Sequence, residues 1–415
     1  ITINGGTGAN AISIASLGTA FNQELAVTGN GGADSVTITG NLNLASLNLQ
    51  VETTTLSGVS VTTSGGGISI GGDVVLNAGA VSFNTSGGNL QIDGGISGAQ
   101  NLTLAAGIGS GTTTVAGSVS NLGTGTGAAL TVASGVTGLV YFQSSFAANS
   151  GVQAAGTSSS LRFNGDVTLA NGNTGTTLAG NVQLDGLTFS GFDGLSFGTT
   201  TLSGAAVAIN SNGSALAFTG NVDGSQNLHL TAGAGNIDFD GTVGATNRLG
   251  TITIVSAANL RADNTIRAAS LTQQAGTGTT TFLGNVDTNT AGVSVTSSGT
   301  VTIGTTVVVS AAGSVNFRST ASGIILQSTA AISTTAAGDV TLEAEDQISL
   351  AAGTIISYVR QTRPDAPTHI KPPRVYHLGN YMVLDRSTLR NLEIFKNIKD
   401  GTAEGTLLRL MDKTV

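Results

Sequence analysis

From Ile1 to Leu350 the chain consists of short runs in which β-branched residues alternate with small polar ones, broken every few positions by Gly, Asn or Ser. Val36–Thr39, Val59–Val61, Ile68–Ile70, Thr251–Ile254, Val293–Val295 and Val301–Ile303 are examples. Alternation sends successive side chains to opposite faces of a strand, and Val, Ile and Thr suit a pleated, half-buried surface. No sustained 3.6-residue apolar pattern competes with it over this stretch. Strands this short bury no core alone, so the segment must stack them.

Loose internal repetition says how. SGAQNLTLAAG (Ser97–Gly107) recurs as DGSQNLHLTAG (Asp223–Gly233), and GVSVTTSGGGISIGGDVVL (Gly58–Leu76) as GVSVTSSGTVTIGTTVVV (Gly292–Val309). A Gly-Asn-Val element starts at Gly180, Gly220 and Gly284. Self-similarity of this kind points to stacked repeats. A string of β-sandwiches would also use short strands with frequent turns. The unbroken length of the region and its low aromatic content favour a solenoid. The fold expected is all-β, an elongated parallel β-solenoid (β-helix) over 1–350. With roughly 20–25 residues per coil it has about 14–17 coils and a length of roughly 70–80 Å.

Composition breaks at the end of this region. All four prolines, all four lysines and both methionines lie after Leu350, with only four of the 61 glycines. Residues 1–350 carry five Arg and no Lys against 17 acidic side chains, a net charge of −12, while the remainder is net +4, which together make the −8 of the whole chain. DNA affinity rests on neutralising phosphates, so nucleic-acid binding by 1–350 is not expected. The absence of cysteine excludes disulfides and thiolate metal sites. No 18-residue apolar run suggests a transmembrane helix. The chain opens at Ile1 inside a strand pattern, with no Met and no basic-then-apolar leader, so the start reads as internal to something longer.

Through runs such as QNLTLAAG (Gln100–Gly107) and GDVTLEAEDQISL (Gly338–Leu350), residues 1–350 resemble the filamentous-haemagglutinin-like and autotransporter-type passenger regions of bacterial surface proteins. That resemblance implies a secreted or cell-surface, non-catalytic structural or adhesive stalk. Its partners would be host or matrix glycans or proteins met by the solenoid surface.

Residues 351–415 follow different rules and are expected to form a short helical and irregular segment. Ala351, Ala352, Ile355, Ile356 and Val359 share one helical face, as do Leu389, Leu392, Phe395 and Ile398, and the Pro-rich stretch 363–374 would be extended. AAGTIISYVRQT (Ala351–Thr362), HIKPPRVYHLGNYMVLDRSTLRNLEIF (His369–Phe395) and DGTAEGTLLRLMDKTV (Asp400–Val415) resemble the DNA mismatch-repair protein family MutS where its connector domain passes into its core. The motif residues are Asp385, Thr388, Arg390, Asn391, Leu392 and Glu393, and the resemblance gives them a structural packing role. DNA would be a partner only for a complete MutS, whose Phe-x-Glu mismatch reader and G-x-x-x-x-G-K-[ST] phosphate loop do not occur here. An exported stalk and a cytoplasmic repair protein share no compartment. The junction is therefore expected to be a product of sequence assembly or gene prediction, or a recent fusion.

No catalytic constellation stands out, and no enzyme is expected. Asp238 and Asp240 sit two apart, and Glu343, Glu345 and Asp346 cluster. Paired carboxylates serve as general acid and base in a polysaccharide-active β-helix, or bind calcium. The simpler reading makes them solvated charges, because no Lys, His or Arg stands beside either cluster in sequence. NGGTGAN (Asn4–Asn10) and GNGGADS (Gly29–Ser35) echo a Gly/Asp calcium repeat, but only Asp34 is acidic and turns are the simpler account. No cofactor is expected, calcium at Asp34 or at Asp238 and Asp240 being the one left open. His229 reads as a surface strand residue; His369 and His377 lack a second ligand at metal spacing. Thr251 and Thr253 would need to recur coil after coil to make an ice-binding array.

Overall fold

A computed structural model describes residues 1–17, 21–335, 338–345 and 348–350. The segment resembling MutS, with Asp385 to Glu393, His369 and His377, and also Asp346, lie outside the described residues. The described chain is a parallel β-solenoid: 43 strands, one single 3-10 turn at Ala106–Ile108, and every strand pairing parallel. The strands fall on three faces visited in turn, which gives about 15 coils. Thr2–Asn4, Glu24–Thr28 and Ser46–Gln50 begin the first face. Ala11–Ile14, Ser35–Ile38 and Thr53–Ser57 begin the second, and Leu42–Leu44, Ser60–Thr63 and Val81–Asn84 the third.

Coil lengths centre on the expected value and scatter around it. Leu25 pairs with Leu47 and Val293 with Val315, each 22 residues on, whereas Leu102 pairs with Leu130, 28 on. The long step holds Gly123, Gly125 and Gly127, all with positive φ, so the additional residues leave the coil as a turn and the strand register survives.

Alternation becomes burial as expected. In Leu25–Val27, Ile68–Ile70 and Val301–Ile303 the flanking residues are buried and the middle one faces outward. The axis of the middle coils is a chain of rings: Phe142, Phe163, Phe189, Phe197, Phe218 and Phe239 follow one another with centroids 5.4, 5.9, 5.1, 5.6 and 5.1 Å apart. Each buried ring contributes about 1.5–3 kcal/mol by area, and each ring pair about 0.5–1.5 kcal/mol more. The few aromatic residues of this chain are thus concentrated where a narrow core has most to gain from them.

Corners interrupt the strand ladders and leave amides without partners, and Asn and Asp answer this with side-chain oxygens. Asn41 accepts from the Ser60 amide, Asn89 from Thr112, Asp166 from Thr188, Asn227 from Thr251 and Asn285 from Val308, all at 2.8–2.9 Å and all on the next coil. The Gly-Asn-Val elements occupy one such corner, at the entry to the first face. A Cβ on Gly220 would stand 2.6 Å from the Thr199 nitrogen, and one on Gly198 or Gly241 would run into the carbonyl of the glycine one coil earlier. Only glycine lets coils close to strand spacing there.

The longer repeats hold a finding that sequence alone does not suggest. Ser97–Gly107 and Asp223–Gly233 share their turn: Gly98 has φ +114°, Gly224 φ +127°, and each packs against the carbonyl of a leucine one coil earlier, Leu76 or Leu202. Yet Leu102–Leu104 lies on the third face and Leu228–Thr231 on the second. The repeat of Gly58–Leu76 at Gly292–Val309 is displaced by one face in the same sense, since Ser60–Thr63 lies on the third face and Val293–Ser297 on the second. Turn and strand are therefore local units that fit any corner of the triangle.

Candidate functional site

Asp238 stands outward in the middle of the strand Ile237–Phe239 and is half-buried, whereas Asp240 is the first residue past that strand and exposed. A spacing of two would set both carboxylates on one face of a single strand, but only Asp238 lies within the strand. It also supplies the partner missing from linear order. Arg261 pairs in register with Asp238 from the next coil, and its Nε donates to Asp263 Oδ1 at 2.6 Å. Burial is the main reason the Asp238 carboxyl is held above the ordinary range; Asp240 adds to this, Arg261 opposes it and Asp263 contributes in the raising sense. The group is an acid with two negative neighbours and one positive, half in solvent.

The second cluster is corrected in the same way. Glu343 faces Arg318 in register, with Nε and Oε2 3.4 Å apart on exposed side chains, while Glu345 is exposed one residue past its strand. His229 projects outward between Ala208 and Thr253 on neighbouring coils. The Thr251 and Thr253 pair meets Ser270 and Thr272 on the following coil, and the outward position after Thr272 is Ser294, so the paired threonines do not recur as an array.

Asp34 is the least expected of the candidates. It is 2% exposed, and its Oδ1 accepts the Asn10 amide and the Asn10 Nδ2, both at 2.8 Å, tying the first Gly-rich loop to the second. Its own amide donates to Glu52 Oε2 on the next coil at 2.6 Å. Glu52 in turn lines a shallow hollow of about 450 Å³ with Gln50, Gly71, Gly72, Asp73 and Gly94.

Two further clusters were missed in sequence. Arg162 lies over the Tyr141 ring at 4.8 Å from its centre and bonds Asp185 at 2.8 Å, and Asn164 Nδ2 donates to the Tyr141 hydroxyl at 2.6 Å. Arg248 reaches two coils on, where it donates to the carbonyl and carboxylate of Asp287, and also to Ala268 O. The signal was present as spacing: Arg162 to Asp185 and Asp238 to Arg261 are each 23 residues, one coil. Among the described residues no three His, Cys, Asp or Glu side chains converge to hold a metal ion.

No family model matches the chain. No solved structure matches it either. Curated proteins do match over 65 residues, the length of segment 351–415. DNA mismatch repair protein MutS of Methanothrix thermoacetophila is 52% identical over these residues, 16% of this chain and 8% of that protein. MutS of Symbiobacterium thermophilum is 43% identical over 65 residues, and that of Desulfatibacillum aliphaticivorans 38%, each match covering 7% of the relative. The chain thus spans less than a tenth of the curated relatives it matches, and carries a short MutS-like segment beside its β-solenoid.

Proposed function

We propose that residues 1–350 are a non-catalytic stalk of a bacterial surface protein, displayed outside the cell and meeting glycans or proteins of its surroundings along its flanks. The observation that carries this reading is the use made of charge. Arg162, Arg248, Arg267 and Arg318 each pair with a carboxylate on a later coil, so four of the five cations of residues 1–350 fasten coil to coil. Outward positions are otherwise mostly hydroxyl and amide, as in the third-face row Ser82, Thr103, Thr131, Gln153, Thr177 and Ser196. A surface of this kind supports length and solubility. Antibody against residues 1–350 is expected to label intact cells of the source organism; label appearing only after lysis would overturn the reading.

A polysaccharide-active β-helix is the enzyme alternative at Asp238. Release of unsaturated or reducing sugars from acidic polysaccharide, lost in Asp238→Ala, would replace the structural assignment.

Mismatch repair is the reading favoured by the 52% identity to MutS. It requires ATP hydrolysis stimulated by mismatched duplex, which this chain is expected not to show, having no G-x-x-x-x-G-K-[ST] loop. The stalk and the MutS-like segment are separate in origin on this account. Detection of the tryptic peptide Ser319–Arg360 in the source organism would show that they are made as one protein.

A further inference from the structure

Asp34 poses a problem of charge that the described residues leave open. Its carboxylate is 2% exposed, Oδ1 is satisfied by Asn10, and Oδ2 is buried and accepts no hydrogen bond from any described residue. A buried carboxylate is stable when paired with positive charge or neutralised. No side chain can supply that charge nearby, because residues 1–161 contain no Lys or Arg, and the amino group of Ile1 donates to Glu24 O. The next coil adds a second carboxylate instead: Glu52 Oε2 is 2.6 Å from the Asp34 amide nitrogen. Beyond it Asp73 continues the same corner. The local potential is strongly negative and draws cations from solution.

The loop backbone runs close to the unpartnered oxygen, where a Cβ on Gly29 would stand 2.2 Å from Asp34 Oδ2. A hard cation with flexible coordination suits such a place, taking carboxylate, backbone carbonyl and water oxygens together.

We propose that this corner binds a calcium ion, with Asp34 Oδ2 as its buried ligand and Glu52 as the carboxylate given by the next coil. Binding clamps the loop Gly29–Asp34 onto the loop that ends at Asn10, and so fastens the first coils of the solenoid.

The test is calorimetric titration of the full chain with calcium chloride, together with hydrogen exchange at Asn10 and Ser35. A dissociation constant of about 0.1–1 mM is expected, the range of open extracellular sites, with slower exchange at both amides when calcium is present. Glu52→Gln, on an exposed side chain that leaves the fold intact, is expected to weaken binding several-fold, and Asp34→Asn at least tenfold. Asp73→Asn, whose parent carboxylate accepts the Gly95 amide, is expected to bind as the parent does. Absence of binding at millimolar calcium, or binding that Glu52→Gln and Asp34→Asn leave unchanged, overturns the proposal.

Discussion

Asp238 and Arg261 occupy the same register position on neighbouring coils of the third face. Arg261 nonetheless gives its short hydrogen bond to Asp263 of its own coil. Asp238 is therefore a carboxylate with a cation beside it and no strong bond to it, which is why burial and Asp240 prevail and its proton is held above the ordinary range. For an acid raised in the folded state the sign is fixed. The unfolded chain releases the proton first, so stability falls as pH rises from the unfolded value through the folded one, and the loss is complete above both. Asp238→Asn is expected to remove that loss and stabilise at neutral pH by less than about 1 kcal/mol, as solvent screens a half-exposed group. Equilibrium unfolding of both proteins at pH 3 and pH 7 measures it: the gain should be present at pH 7 and absent at pH 3.

The ring chain along the axis predicts where the solenoid is most sensitive. Phe218→Ala, between Phe197 and Phe239, is expected to cost about 3–5 kcal/mol, and Phe218→Leu much less. Because each coil contacts mainly its neighbours, the loss should appear as faster amide exchange in Leu216–Phe239, with the first coils unaffected.

Arg248 is predicted to need its planar fork. Arg248→Lys keeps the charge but cannot reach Ala268 O, Asp287 O and the Asp287 carboxylate together, so it should lose most of what Arg248→Ala loses, about 1–2 kcal/mol. Denaturant midpoints for the two variants check this, and a fully stable lysine variant would contradict it.

At Gly220 the problem is space, and at Gly87 it is conformation. Gly220→Ala forces a Cβ to within 2.6 Å of the Thr199 nitrogen and should cost about 1–3 kcal/mol as the coils part. Gly87 has φ +98° with nothing within 4 Å, so the cost of Gly87→Ala is backbone strain of about 1–2 kcal/mol. Added Asn should ease it at Gly87 and not at Gly220. Thermal unfolding of the four variants separates the two causes.

Strand identity, the parallel solenoid and the coil length were legible because alternation and glycine spacing are local properties, as at Ile68–Ile70 and in the Gly-Asn-Val elements. What sequence hid was everything one coil away. Arg261 beside Asp238, Arg318 beside Glu343 and Arg162 over Tyr141 are distant in sequence and adjacent in space. Asp34 was legible as an acid in a Gly-rich turn, but its burial follows from the neighbouring coils that close over it. The one-face displacement between Ser97–Gly107 and Asp223–Gly233 was hidden for a related reason: similar turns fit any of three similar corners.

The central feature of the fold is one continuous axial stack, and the cysteine-free sequence permits a direct measurement of it. Paired spin labels on outward third-face positions should read distance as a count of coils. Thr103→Cys with Ser196→Cys spans the four register steps from Thr103 through Thr131, Gln153 and Thr177 to Ser196, and Thr103→Cys with Thr302→Cys spans nine. Pulsed electron paramagnetic resonance should give about 19 Å for the first pair and about 43 Å for the second, linear in the number of coils at strand spacing. A second distance no longer than the first, or broad distributions without that proportion, would contradict the stacked solenoid.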